Sequence, residues 1–149
     1  VTNIKPVSFS EGDEVDVNVG LAFNTGSGIS SGTEFSVSKI QITDLWLAVQ
    51  FTGSDSHVSL AFLPWGNVDF ISSSGSGSVP VDFSDLSLSE SGGNITVQFV
   101  PPGGGLGVYN ADSLEMRKEG VTFQRNASGT EVTEFIPWCN VVAIVQEVS

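Results

Sequence analysis

Alternation of apolar and polar residues at a period of two runs through most of this chain, and nothing else constrains its fold as strongly. It is densest over Thr43 to Leu63. Leu45, Leu47, Val49 and Phe51 alternate with Trp46, Ala48, Gln50 and Thr52 ahead of a polar break, Gly53-Ser54-Asp55-Ser56. Val58, Leu60 and Phe62 then resume the pattern, with His57, Ser59 and Ala61 between them. Successive side chains of a pleated strand point to opposite faces, so this spacing predicts two strands joined as a central hairpin.

The same signal recurs on both sides. Val15, Val17, Val19, Leu21 and Phe23 form one long alternating run. Phe35 and Val37 fall in one frame and Ile40 and Ile42 in the other, which predicts a bulge or bend at Ser38-Lys39 where the strand passes between sheets. Val68 with Phe70, Val79 through Phe83, Ile95 through Phe99, and Val121 with Phe123 add further strands. Asn126-Ala127-Ser128-Gly129 is a hairpin turn. The last run, Val141 to Val148, is apolar on nearly both faces, which suits a central position in a sheet. Asn110 to Lys118 allows two readings. Asp112 with Glu115 has the form of a helix capping box stopped by Gly120, while Leu114 and Met116 also fit a strand turning at Lys118-Glu119-Gly120.

These runs predict an all-β antiparallel sandwich, with a single jelly roll of about eight to ten strands preferred and at most one short helix near 112–118. One domain over 1–149 is expected, long enough to bury about two-thirds of its unfolded surface. Residues 1–10, with Pro6 among them, suit an edge strand or an arm lying along a neighbour, because proline cannot donate to a ladder. Ser72 to Ser78 reads as a long surface loop rather than a linker. No internal repeat at a fixed period is visible in the residues, so a propeller or solenoid is not expected.

Composition narrows the function. Seventeen acidic residues against five basic ones give a formal net charge of -12, and the basic residues are scattered. Nucleic acid and anionic membrane surfaces are therefore poor partners, since both need clustered Lys and Arg. No run approaches the ~20 apolar residues of a membrane helix. The single cysteine, Cys139, reads as a buried small hydrophobe. With one His and one Cys, a zinc site lacks ligands. A Ser-His-Asp triad would have to use His57, which starts a strand after a polar turn, and no Gly-x-Ser-x-Gly elbow accompanies it. Gly103-Gly104-Gly105-Leu106-Gly107 lacks the Lys-Ser/Thr ending of a phosphate loop.

Carboxylates offer little more. Glu131 and Glu134 fall on opposite faces of one strand. Glu11, Asp13 and Glu14 crowd a turn, as do Asp82 and Asp85. Such turns could hold calcium, but no Asp-x-Asp-x-Asp-Gly pattern is present, so no cofactor is expected and no enzyme.

Two functions remain. The first is a structural protein of a larger symmetric assembly, a virion shell or decoration component in a virion or extracellular setting, whose partners are copies of itself or other coat proteins. The second is a carbohydrate-binding sandwich. In it Trp65 and Trp138, each beside a proline at a strand end, and Tyr109 would present aromatic faces to a sugar. These three residues are the candidate ligand or interface positions.

Overall fold

A computed structural model describes residues 3–25, 33–53, 56–73 and 80–148. The expected Ser72 to Ser78 loop falls mostly outside them, as do Val79 and the middle of the turn after Thr52. Six strands come first: β1 (Val15–Val19), β2 (Glu34–Val37), β3 (Lys39–Ile42), β4 (Trp46–Thr52), β5 (Val58–Pro64) and β6 (Val68–Ser73). A two-residue strand, β7 (Asp82–Phe83), follows. Six more complete the chain: β8 (Ile95–Phe99), β9 (Gly107–Ala111), β10 (Ser113–Met116), β11 (Gly120–Ala127), β12 (Thr130–Pro137) and β13 (Val141–Glu147).

The expected all-β architecture is the one the chain adopts, and no α-helix occurs among the described residues. Over 112–118 the strand alternative prevails: Leu114 pairs with Phe123, and the turn closes through Arg117 N–H to the Gly120 carbonyl at 2.8 Å. The layering is richer than a two-sheet sandwich. A seven-stranded sheet, β7-β3-β4-β5-β13-β8-β9, lies between two three-stranded sheets, β2-β1-β6 and β10-β11-β12.

The middle sheet explains why the hairpin and the last strand are apolar on both sides. Leu47, Val49, Ala61, Leu63 and Val145 face one core, shared with Val15 and Val17 of β1. Ala48, Leu60, Phe62, Val141 and Ile144 face the other, shared with Val121 and Phe123 of β11. A strand buried on both faces needs apolar residues in both frames.

The connections are not those of a single jelly roll. They repeat one six-stranded unit twice, β1–β6 and β8–β13. In the first, β1 pairs with β2 and β6, and β3-β4-β5 form a meander. In the second, β8 pairs with β9 and β13, and β10-β11-β12 form the meander. The registers coincide. Lys39 faces Gln50 where Ser113 faces Gln124, and Leu47 faces Leu63 where Val121 faces Ile136.

Irregularities repeat as faithfully. The expected bend at Ser38 carries the chain from β2 into β3, and Ser38 N–H reaches the Gln50 carbonyl at 2.8 Å. Asp112 makes the same bend between β9 and β10, with its N–H on the Gln124 carbonyl at 2.8 Å. The ladder skips Asp69 between β1 and β6, and skips Val142 between β8 and β13.

A pentapeptide sits at the corner of each unit. Pro64-Trp65-Gly66-Asn67-Val68 and Pro137-Trp138-Cys139-Asn140-Val141 each turn from meander to outer pairing through one 3-10 turn. Proline supplies an extended φ before the turn, -61° at Pro64 and -66° at Pro137. Each indole then pins its corner to the first turn of its meander: Trp65 Nε1–H donates to the Thr43 carbonyl at 2.9 Å, and Trp138 Nε1–H to the Arg117 carbonyl at 2.7 Å. The asparagine carbonyls match as well, Asn67 accepting Gly20 N–H at 3.1 Å and Asn140 accepting Val100 N–H at 3.0 Å.

The two asparagine side chains part company. Asn67 is buried; its Oδ1 accepts Leu21 N–H at 2.7 Å, and its Nδ2 donates to the carbonyls of Leu21 and Val142 at 3.1 and 3.0 Å. Asn140 is exposed. Leaving buried backbone groups unpartnered is costly, so Asn67→Ala is expected to lower stability by about 2–4 kcal/mol. Asn140→Ala should stay within about 0.5 kcal/mol of wild type. Urea unfolding of both variants tests the asymmetry.

Candidate binding and assembly surfaces

The three aromatic candidates arise from the corners and from β9, and the fold separates them. Trp65 packs on the first core, while Trp138 and Tyr109 pack on the second. Both tryptophans have their indole N–H committed to the corner bonds described above. Trp138 also lies against Trp46, ring centroids 5.7 Å apart. Tyr109 touches Phe99 at 5.0 Å and Phe123 at 6.3 Å. Trp138, half-buried, borders a cleft of about 350 Å³ together with Leu21, Val100 and Cys139.

Cys139 corrects the expectation of a buried thiol, because it is exposed. It occupies the variable position of its corner, where the first unit has Gly66. A Cβ at Gly66 would meet nothing within 4 Å, so this position points into open space in both units.

The acidic turns serve the fold. Asp13 accepts Ser10 N–H at 3.0 Å, and Glu11 accepts Phe83 N–H at 3.0 Å. Asp85 accepts from the Gln41 amide at 3.3 Å. No three of His, Cys, Asp and Glu converge as a metal-binding group among the described residues. His57 is not isolated: its Nδ1 lies 2.7 Å from Glu147 Oε1, joining the start of β5 to the end of β13.

One cluster escaped the sequence reading. Arg125 of β11 lies 3.8 Å from the centre of the Tyr109 ring, and its Nη2 is 2.8 Å from Glu134 Oε1 on β12. The hydrogen bond to Glu134 raises the already high pKa of the guanidinium. The matching positions of the first unit are Phe35, Phe51 and Ala61. There Phe35 and Phe51 pack at 5.0 Å, and Phe51 and Ala61 are buried. A closed aromatic contact in one unit is thus a half-open cation–aromatic–carboxylate contact in the other. The only sequence signal for it is the paired Pro-Trp-x-Asn-Val pentapeptide, from which the two units can be aligned.

Several exposed apolar side chains lie on the arm and on edge strands, while Leu21 and Ile42 are about as exposed elsewhere. Ile4 and Val7 are 99% and 85% exposed on the segment before β1, while Phe9 packs on the first core. Phe70 on β6 and Phe135 on β12 are 58% and 50% exposed. Among the described residues both strands are sheet edges, β6 paired with β1 alone and β12 with β11 alone.

Comparison of the chain with protein-family models, with curated proteins and with solved structures finds no match.

Two outcomes follow from the charged cluster. Arg125→Phe alone should lower the melting temperature, because it strands the Glu134 carboxylate, and adding Glu134→Ala should recover most of the loss. Calorimetry on the single and double variants checks this. The second outcome concerns Glu131, whose carboxyl pKa is raised by desolvation, then by the charge of Asp112 and a hydrogen bond with it. A raised carboxyl pKa means the folded state holds the proton more tightly than the unfolded chain. Its contribution is therefore fully present below the ordinary carboxylate range and lost as pH rises through the folded pKa. Glu131→Gln should melt higher than wild type at pH 7, and the gain should vanish in acid.

Proposed function

We propose that this protein is a non-enzymatic structural component of a larger symmetric assembly, a virion shell or decoration protein, working through contacts with copies of itself or with other coat proteins. The observation that carries the reading is the arm. Phe9 anchors the segment on the first core, and the Gly12 N–H and Val81 carbonyl tie its base at 3.0 Å. Beyond the anchor, Ile4 and Val7 stand almost wholly in water. On a tethered segment such residues offer apolar area that a neighbour could bury, at about 25 cal/mol per Å². The high net negative charge keeps the free protein soluble until neighbours meet.

A carbohydrate-binding module is the second reading, and its support is the half-buried Trp138 bordering the cleft with Leu21 and Cys139. Tryptophan fluorescence titrated with an oligosaccharide panel separates the two. Quenching or a spectral shift that saturates would favour the module; no response would remove it.

For the assembly reading, sedimentation of the full chain over a concentration series in moderate salt should show discrete oligomers. Deleting residues 1–8, which spares Phe9, should weaken association at least tenfold without changing the far-ultraviolet spectrum. A strictly monomeric full chain at high micromolar concentration overturns the reading.

A further inference from the structure

The chain already contains one junction between its two units, and that junction leaves a matching pair of edges unused. Within the molecule, β5 of the first unit pairs antiparallel with β13 of the second, Phe62 facing Ile144, Ala61 facing Val145 and Leu60 facing Gln146. The strand matching β5 in the second unit is β12. The strand matching β13 in the first unit is β6. Both have one outer edge with no strand on it among the described residues. We infer that copies of this protein join head to tail by pairing β12 of one copy with β6 of the next, in the register that already joins β5 to β13.

Transferring that register sets Phe135 opposite Ile71, Glu134 opposite Ser72 and Thr133 opposite Ser73. The pair Phe62–Ile144 is thus reproduced in kind as Phe135–Ile71. Phe62 lies against the second core beside Ile144. Phe135, half-exposed in the single molecule, would lie in the same way against the neighbour's first core, on which Ile71 already packs. The other two pairs set a hydroxyl against a carboxylate and a hydroxyl against a hydroxyl. The first can hydrogen-bond, and neither sets like charges face to face. Ser72 would also close over the half-open contact of Arg125 with Tyr109 and Glu134, at the end of the core that β13 closes in the first unit.

The residues also set the strength. The inner junction has Ala61, Leu60 and Val145 where the outer edges have Glu134, Thr133 and Ser72, so the outer junction buries less apolar surface. Each copy carries a net charge of -12, so approach is opposed at low ionic strength and eased as salt screens it. The junction is weak, reversible and salt-strengthened. It joins two different surfaces, which gives a closed ring or an open filament.

This inference rests on the assembly reading, and the test separates the two. In a Cys139→Ser background, one protein carries Ser72→Cys and another Glu134→Cys. They are mixed at high micromolar concentration in moderate salt under mild oxidation. The expected product is a mixed disulfide that links the thiol introduced at position 72 of one chain to the thiol introduced at position 134 of the other. It should form at least tenfold faster than either self-linked dimer, with the linkage identified by mass spectrometry. Phe135→Lys, at a half-exposed position that leaves the fold intact by circular dichroism, should weaken association of the otherwise wild-type chain at least tenfold. Equal rates for mixed and self-linked dimers overturn the junction. So does wild-type oligomerisation that Phe135→Lys leaves unchanged, and in that case the assembly reading stands while this surface is wrong. A chain that is monomeric at every concentration and salt overturns both.

Discussion

The pairing of β5 with β13 is the contact on which the rest of the structure depends. It turns two small units into one body, because each strand contributes side chains to both cores. Leu63 and Val145 fill the first core while Phe62 and Ile144 fill the second. Neither unit has a complete core without the other's strand. The His57–Glu147 contact and Gln146, whose buried amide accepts Ser89 N–H at 2.9 Å, secure one end of this seam. A buried amide is tolerable there because its hydrogen-bonding groups find backbone partners.

Much of the local structure was legible. Period-two alternation located the central hairpin, the change of frame at Ser38 located a strand that changes sheets, and Asn126 to Gly129 formed the expected tight turn. In that turn Ser128 and Gly129 take positive φ of 53° and 89°, and Asn126 Oδ1 accepts Gly129 N–H at 2.8 Å. The doubly apolar Val141 to Val148 run was correctly central. What the residues hid was the repetition. The two units share registers, bends and skipped positions, all of which are set by backbone hydrogen bonds and need no particular side chain. Only the Pro-Trp-x-Asn-Val corners demand specific residues, because each needs a fixed φ and an indole donor that reaches across the meander.

Trp65 and Trp138 were legible as aromatic residues at strand ends, but not as what they do locally. A tryptophan after a proline can equally stack on a ligand or pin a corner. The choice depends on where its N–H points, and here it points to Thr43 or Arg117. Likewise Cys139 looked like a buried hydrophobe from its apolar neighbours. It follows Trp138 in a 3-10 turn, where the period of two no longer applies and the side chain turns outward.

Differences between the two units follow solvent rather than chemistry. Where the junction covers a position, the residue is small or apolar, as with Ala61, Leu60 and Phe51. At the matching uncovered positions stand Glu134, Thr133 and Arg125. A charge cannot be left unpaired in a half-closed site, so Arg125 and Glu134 appear together and share the face of Tyr109. Polar residues on an open edge also discourage indiscriminate strand addition. Yet Phe135 and Phe70 stay apolar on the two open edges, and Ile71 keeps the place that Ile144 holds in the junction. In the proposed junction the polar pairs would lower the affinity and the Phe135–Ile71 pair would fix the register, a combination suited to a joint made only when copies are already concentrated side by side.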